Sequence, residues 1–205
     1  MLIPYWTEGS HQSMEGLFFE SSLTTPFHFI NASEMSLRPS NPIPGLPYKT
    51  FDMERGIQHL QIFGVSYYVS FTPEATEKAD TMAELTKVTT TEPFTIYRLP
   101  ETKLVEPARF LPSVYEVPER SLFGSLMGTS TVVGLDGERL LSFHDMALEW
   151  YVDMDDIDRW VVAGGPDEWP RIESLDERPD DPLTVPEDAV SDIVVENHRI
   201  EFTTK

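Results

Sequence analysis

Residues 52–74 read DMERGIQHLQIFGVSYYVSFTPE, and the fold that the sequence predicts follows from them. Asp52 has the side chain of a helix N-cap, and the apolar residues after it share the spacing of one helical face. Gly64 suits the position just beyond that helix, where the backbone often turns left-handed. A β-prone run over residues 65–71 comes next, and Thr72 begins a Thr-Pro-Glu sequence that is typical of a helix start. The stretch therefore predicts helix, strand and helix in that order.

Two further β-prone runs, residues 85–91 and 94–99, follow the second helix. Helices and strands that alternate over so short a distance indicate an α/β unit with a mixed sheet. Residues 104–117 contain prolines that cannot donate a ladder hydrogen bond, so they predict an extended stretch at a sheet edge.

The rest of the chain is predicted to be helical and acidic. Ser142 and Asp145 have nearly the spacing of a capping box, and Asp153 is suited to cap another helix that ends at a Gly-Gly-Pro sequence. Residues 171–188 are acidic and contain prolines, which indicates a linker or a surface excursion. Residues 193–202 have the pattern of a short β-hairpin.

The predicted fold class is α+β in one domain over residues 1–205, with a mixed β-sheet and packed helices in the first half. The second half is predicted to be helical and acidic and to end in a β-hairpin. Within the domain we distinguish an irregular aromatic and polar segment (1–50), an α/β unit (51–118) and a helical, acidic part with the terminal hairpin (119–205).

Composition excludes several classes of function. The chain has 35 acidic and 15 basic residues in 205, a formal net charge of −20, which opposes binding to nucleic acid. It has no cysteine, so thiolate catalysis and cysteine-ligated zinc are excluded. No P-loop and no dinucleotide-binding glycine pattern is present, so we expect no cofactor.

A candidate ligand-binding segment lies near the N-terminus. Its aromatic residues alternate with carboxylates, hydroxyls and a histidine, and this mixture suits a ligand-contacting loop because a binding site pairs apolar walls with a few oriented polar groups. The candidate residues are Trp6, Glu15, Glu20, Thr25 and His28. The other interpretation is an irregular segment packed on a core, in which both glutamates point into solvent and the histidine is structural.

An acidic run at residues 153–158, DMDDID, resembles half of a calcium-binding loop. A glycine at the sixth position and a glutamate at the twelfth are required, and this chain has Asp158 and Gly164 there. Capping and compensation of a helix dipole explain the acids better, so we expect no metal site.

The chain also resembles the extracytoplasmic region of large polytopic membrane proteins of actinobacteria, which are similar to glycosyltransferases of the GT-C superfamily. The resemblance covers PYWTEG at 4–9, SMEGLFFES at 13–21, TTPFHF at 24–29, GIQHLQIFGVSYY at 56–68, residues 158–172 with GPDEWP at 165–170, and residues 190–204. It implies a location at the outer face of the membrane, with the membrane helices of the parent protein and a glycan or lipid-linked sugar as partners.

The membrane helices of that family, where the donor site and the catalytic acid would lie, are not within residues 1–205. We therefore expect a domain that helps to bind or position a glycan or glycolipid acceptor and has no catalysis of its own. Two rivals stay open: a pure interaction or scaffold domain, and a stand-alone hydrolase that uses Glu15, Glu20 and His28.

Overall fold

The structure is a computed structural model that describes residues 3–14, 24–101, 103, 105–116, 132–133, 139–140, 142–186, 188–196 and 199–204. The chain divides into two compact units. The first unit comprises Met1–Glu106 and Ile193–Phe202, and the second comprises Pro107–Asp192 and Thr203–Lys205. The sequence predicts a single domain, and the division falls inside the α/β unit predicted over residues 51–118.

The fold class is α+β and the chain ends in a β-hairpin, as the sequence predicts. Antiparallel and parallel sheets are both present. The described residues form helices α1 Ile3–Trp6, α2 Thr25–Met35, α3 Met53–Ile62, α4 Pro73–Asp80 and α5 Phe143–Val152. They form strands β1 Tyr67–Ser70, β2 Thr86–Thr91, β3 Phe94–Arg98, β4 Ser113–Tyr115, β5 Val132–Val133, β6 Arg139–Leu140, β7 Val161–Val162, β8 Arg171–Ile172, β9 Val190–Glu196 and β10 Arg199–Thr204. None of the helices in this described part has the length and hydropathy to cross a membrane.

The first unit is built on an antiparallel sheet in the order β1–β3–β2. Helix α3 begins as predicted, because the Asp52 side chain accepts a hydrogen bond from the backbone N–H of Arg55 at 3.2 Å. Gly64, just beyond the helix, has a φ of 65°, which confirms its predicted place. Side chains of α3, α4 and the sheet form the core of this unit, with Met53 and Tyr97 among its most buried members.

Helix α2 lies in the segment that the sequence predicts to be irregular, and that prediction is wrong for residues 25–35. Pro26 suits the first turn of a helix, where its missing N–H costs nothing. The helix packs against α3 at Gly56, where an added Cβ would meet the side chain of Met35 and would lie 3.3 Å from the Cβ of Glu34. Tertiary packing thus stabilises a helix whose residues show no clear apolar stripe.

The second unit contains a parallel sheet in the order β7–β4–β8. Strand β4 is buried in its centre, so the predicted edge position is wrong. The backbone N–H of Val114 donates to the carbonyl of Pro170 at 2.8 Å and that of Ser113 donates to the carbonyl of Trp160 at 2.9 Å. The prolines nearby lie outside the paired residues, which is why they do not keep the strand at an edge.

Helix α5 has the predicted capping box. The Ser142 hydroxyl accepts from the backbone N–H of Asp145 at 3.2 Å, and the Asp145 carboxylate accepts from the backbone N–H of Ser142 at 3.3 Å. The second helix predicted after Asp153 is wrong. A single 3₁₀ turn, Met154–Asp156, stands there and leads into β7, whose β-branched valines favour an extended backbone.

The prediction of a linker or surface excursion over residues 171–188 is also wrong in part. The residues form β8 and a second 3₁₀ turn, Leu175–Glu177. Arg178 is buried because Nε, Nη1 and Nη2 of its guanidinium each donate to a carbonyl or carboxylate oxygen close by. The predicted terminal hairpin is confirmed as β9 and β10.

Candidate functional site

The N-terminal residues 3–12 close on themselves around Thr7. Its hydroxyl donates to the carbonyl of Ile3 at 2.8 Å and accepts from the backbone N–H of His11 at 3.2 Å. The Ser10 hydroxyl donates to the carbonyl of Thr7 at 2.7 Å, and the backbone N–H of Gly9 donates to the carbonyl of Pro4 at 2.8 Å. These bonds fix a short helix and the turn after it without any need for a deep core.

Two large aromatic side chains project from this turn into solvent. Tyr5 is 73% exposed and Trp6 is 76% exposed, and their ring centroids lie 5.3 Å apart at an interplanar angle of 81°. Water solvates such rings poorly, so an exposed aromatic pair in a structured turn is typical of a surface that contacts something else.

His11 connects the turn to the rim of the first sheet. Its ring centroid lies 6.4 Å from that of Tyr67 in β1, and the Arg98 guanidinium from β3 lies 5.7 Å from the centre of the same tyrosine ring. An Arg98 nitrogen donates to the Tyr67 hydroxyl at 3.5 Å, and Ser10 Oγ lies 3.0 Å from His11 Nδ1. The aromatic surface, as we call it, comprises Tyr5, Trp6, His11, Tyr67 and Arg98.

The structure separates the site residues that the sequence groups together. Trp6 belongs to the aromatic surface. Thr25 is only 6% exposed in the first turn of α2, so it lies outside that surface. His28, in the same helix, is half-buried with its ring centroid 5.3 Å from that of Phe29, and its contact with a ligand stays a prediction. Glu15 and Glu20 lie outside the described residues.

Sequence reasoning missed most of the aromatic surface. His11 and Tyr67 are 56 positions apart in the chain, and nothing in their spacing joins them. Only the pairing of Tyr67 with Arg98 across β1 and β3 brings a cation to the tyrosine ring. The sequence contains one signal of this surface, the adjacent aromatic residues Tyr5 and Trp6. They do not belong to an apolar stripe with helical or strand spacing, so they are not predicted to be buried.

A buried charged cluster, which we call the Glu34 cluster, lies between α2 and α3. The fully buried Glu34 carboxylate lies 2.8 Å from Arg55 Nε and 2.6 Å from His59 Nδ1. Asn31 Nδ2 donates to the same carboxylate at 3.4 Å and to the carbonyl of Gly56 at 2.8 Å.

A carboxylate that orients an imidazole is an arrangement that enzymes use to set up a general base. Here the side chains of both Glu34 and His59 have no exposed surface, so a substrate in solvent does not reach the pair. The cluster instead joins α2 to α3, and it is structural in this fold. Sequence reasoning missed this cluster, because Glu34 lies in the segment predicted to be irregular.

The acidic run at residues 153–158 is engaged by arginines. Asp153 and Asp156 lie 3.1 Å and 3.2 Å from the guanidinium of Arg178, and Asp156 is also 3.0 Å from Arg159. Asp158 lies 3.2 Å from Arg109. Within the part of the chain that the structure describes, no group of three or more His, Asp or Glu side chains is placed to hold a metal ion.

A tyrosine and a carboxylate interact on the helix side of the first sheet. The Tyr97 hydroxyl donates to Asp80 at 2.7 Å, and Lys87 Nζ lies 2.6 Å from the same carboxylate. The hydrogen bond from Lys87, followed by that from Tyr97, lowers the pKa of Asp80. Burial, together with the hydrogen bond to Asp80, raises the pKa of Tyr97. Burial also raises the pKa of Tyr68, to about 12.

No protein-family model, curated protein or solved structure matches this chain. Its function is therefore inferred from the residues and their geometry.

Proposed function

We propose that this chain is a saccharide-binding extracytoplasmic domain, in which the aromatic surface helps to bind or position a glycan or glycolipid acceptor. The exposed Tyr5 and Trp6 pair carries the proposal. The C–H faces of a sugar ring pack on aromatic rings, and the hydroxyl groups need donors and acceptors nearby.

Polar groups in the same turn, and on the sheet rim that His11 contacts, suit such a ligand. His11 offers an imidazole beside Tyr67, and the exposed Arg98 offers a planar set of donors on the same rim. Glu8 lies in the turn itself, at a φ of 52°, and adds a carboxylate acceptor close in sequence to Trp6. Aromatic, donor and acceptor groups are thus present on one part of the first unit.

The same proposal gives the chain a place in a larger protein. By its resemblance to the actinobacterial family, it would be the outer portion of a cell-envelope membrane protein similar to GT-C glycosyltransferases. A lipid-linked sugar and the membrane helices of that parent protein would then be its partners. Catalysis would belong to those helices, and this domain would present the acceptor.

The alternative is a non-catalytic interaction domain, and the terminal hairpin favours it. Arg199 lies 3.5 Å from Glu196 and 3.4 Å from Glu201, so these charged residues share one face. Alternation along each strand then places a set of exposed apolar residues on the other face. They are Ile193, Val195, Ile200 and Phe202.

Isothermal titration with a panel of neutral pentose and hexose oligosaccharides tests the proposal. We expect at least one oligosaccharide to bind the wild-type chain and to lose about tenfold or more in affinity in Trp6→Ala, since stacking on one ring contributes on the order of 1–3 kcal/mol. Trp160→Ala is the matched control, because Trp160 is exposed in the second unit. Absence of binding to every member of the panel, or equal losses in both variants, would favour the interaction domain.

A further inference from the structure

The three-stranded sheet of the first unit has one face against its helices and one open face. Tyr97 and Thr95 in β3 are buried, so the alternate residues Phe94, Ile96 and Arg98 point the other way. Residues that pair directly across an antiparallel ladder share a face. The register therefore identifies the remaining strand residues of the open face, which are Tyr67, Val69, Thr86, Thr89 and Thr91.

Large apolar side chains on the open face are exposed. Phe71, just after β1, is 62% exposed and Phe94 is 45% exposed, with their ring centroids 5.8 Å apart. Val69 and Ile96 pair beside them and are half-buried. These four residues form a continuous apolar stripe, and an exposed stripe of this kind marks a contact surface.

The charges on this face differ from those of the rest of the chain. The chain carries 35 acidic residues, but none of the strand residues on the open face is acidic, and Arg98 is the one charged residue among them. Glu92 lies beyond the strands, in the turn between β2 and β3. An apolar or zwitterionic partner therefore meets no fixed negative charge on the strand residues of the open face.

We propose that the open face docks on the surface of a lipid bilayer, with Phe71 and Phe94 inserted at the boundary between headgroups and acyl chains. Tyr67 and Arg98 stand at one end of the face, and such amphipathic side chains keep a polar tip in the headgroup layer. The threonines of β2 supply hydroxyls along the other edge.

A second copy of the chain is a weaker candidate for this face. A standard protein interface uses roughly 20–30 residues a side, and the open face has nine, namely its eight strand residues and Phe71. Two chains that each carry −20 would also repel one another. A bilayer accepts a small flat patch, because its surface has no fixed shape to match.

Co-sedimentation with vesicles of pure phosphatidylcholine tests the proposal. We expect the wild-type chain to bind, and the double variant Phe71→Ser, Phe94→Ser to bind about tenfold more weakly or worse. The matched control is Ile200→Ser, Phe202→Ser, which removes two comparably exposed apolar side chains from the terminal hairpin and should change little. Phosphatidylglycerol in the vesicles should weaken binding, since the chain is strongly acidic.

Three outcomes would overturn the proposal: no sedimentation of the wild-type chain, equal loss in the two double variants, or a lipid-free dimer that the Phe71 and Phe94 changes abolish. Analytical ultracentrifugation without lipid detects that dimer. Thermal melts check folding, and Phe71→Ser alone replaces the double variant if the latter unfolds. The inference does not rest on saccharide binding, because Phe71 and Phe94 are not part of the aromatic surface. Oligosaccharide titration of the double variant should therefore match that of the wild type, whether or not vesicles bind.

Discussion

Residues 3–12 and residues 24–35 look alike in sequence and differ in structure. Each has one proline, one glutamate, one histidine and two aromatic residues among hydroxyls. In the first, the aromatic pair Tyr5 and Trp6 is exposed. In the second, Phe29 and Glu34 are buried in a helix that packs against α3. A mixture of polar and aromatic residue types therefore does not distinguish an exposed segment from a packed one. What distinguishes them is whether a partner helix packs on the segment, as α3 packs on α2.

The partner element also explains what happens to the charges. Glu34 has Arg55 and His59 from α3 at hydrogen-bond distance, which allows a carboxylate to lie away from water. Glu8, in the N-terminal turn, is exposed at the surface. The same residue type stabilises a helix interface in one case and is exposed to solvent in the other.

The largest expected effect is that of Glu34→Gln, which tests whether residues 24–35 depend on their buried contacts with α3. Arg55 and His59 would lose the anion between them, and we expect the free energy of unfolding to fall by about 3–5 kcal/mol. Urea denaturation followed by circular dichroism measures this. Glu54→Gln is the control, since Glu54 is an exposed partner of Lys78 and should cost less than about 1 kcal/mol. Equal, small effects in both variants would show that the Glu34 cluster does not hold α2 in place.

A second prediction concerns the close approach of α2 and α3. Alanine is a better helix former than glycine, yet Gly56→Ala should destabilise the chain by about 1–3 kcal/mol, because the new Cβ meets Met35 and Glu34. The control Gln58→Ala is in the same helix on its exposed side and should be close to neutral. A stabilised Gly56→Ala variant would mean that the two helices are not packed this tightly.

Buried and exposed tyrosines of the sheet give a third test. Tyr97→Phe removes the hydroxyl that donates to Asp80 and should lower stability by about 1 kcal/mol, while Tyr67→Phe at the exposed rim should change it less. The Tyr97→Phe change should also raise the pKa of Asp80, which carboxyl chemical shifts measured by NMR during a pH titration report. An unchanged titration of Asp80 would contradict the hydrogen bond.

The pH dependence of stability has a definite sign for this pair. The pKa of Asp80 lies below its ordinary value of 3.8, so its contribution is present above that value and is lost as pH falls through the folded-state pKa. The pKa of Tyr97 lies above its ordinary value of 10, so its contribution is present below pH 10 and is lost as pH rises further. Wild type should therefore lose more stability than Tyr97→Phe at both extremes, as urea denaturation over a pH series measures.

Much of the fold could be predicted from local signals. Helix ends are set by contacts within a few residues, and three of them are predicted correctly: the caps at Asp52 and Ser142 and the turn at Gly64. Helix α2 could not be predicted, because α3 and the Glu34 cluster stabilise it from a distant part of the chain. The central position of β4 depends on pairing with residues 161–162 and 171–172, which no local pattern in residues 113–115 encodes.

The candidate site could likewise be predicted only where local sequence determines exposure. Trp6 could be proposed from sequence, since an aromatic residue in a short turn has nothing local to pack on. Tyr67 and Arg98 are brought together only by the register of β1 with β3, and Thr25 is buried because α2 forms. Long-range pairing decides which polar residues meet, and the sequence pattern alone does not contain it.

The smallest expected change in stability is that of Trp6→Ala. The side chain is 76% exposed, so its loss should alter the free energy of unfolding by less than about 0.5 kcal/mol. A larger loss, measured by urea denaturation, would mean that the N-terminal turn is part of the packed fold and would remove the contrast with residues 24–35.

The most direct test of the central claim is an NMR titration that follows the indole N–H signals of the four tryptophans as an oligosaccharide is added. Trp6 is the tryptophan of the aromatic surface, and the other three, Trp150, Trp160 and Trp169, lie in the second unit. If the aromatic surface binds saccharide, the Trp6 signal should shift in a saturable way while the other three stay in place. A Trp6 signal that does not move with any oligosaccharide, or four signals that drift together, would contradict the account.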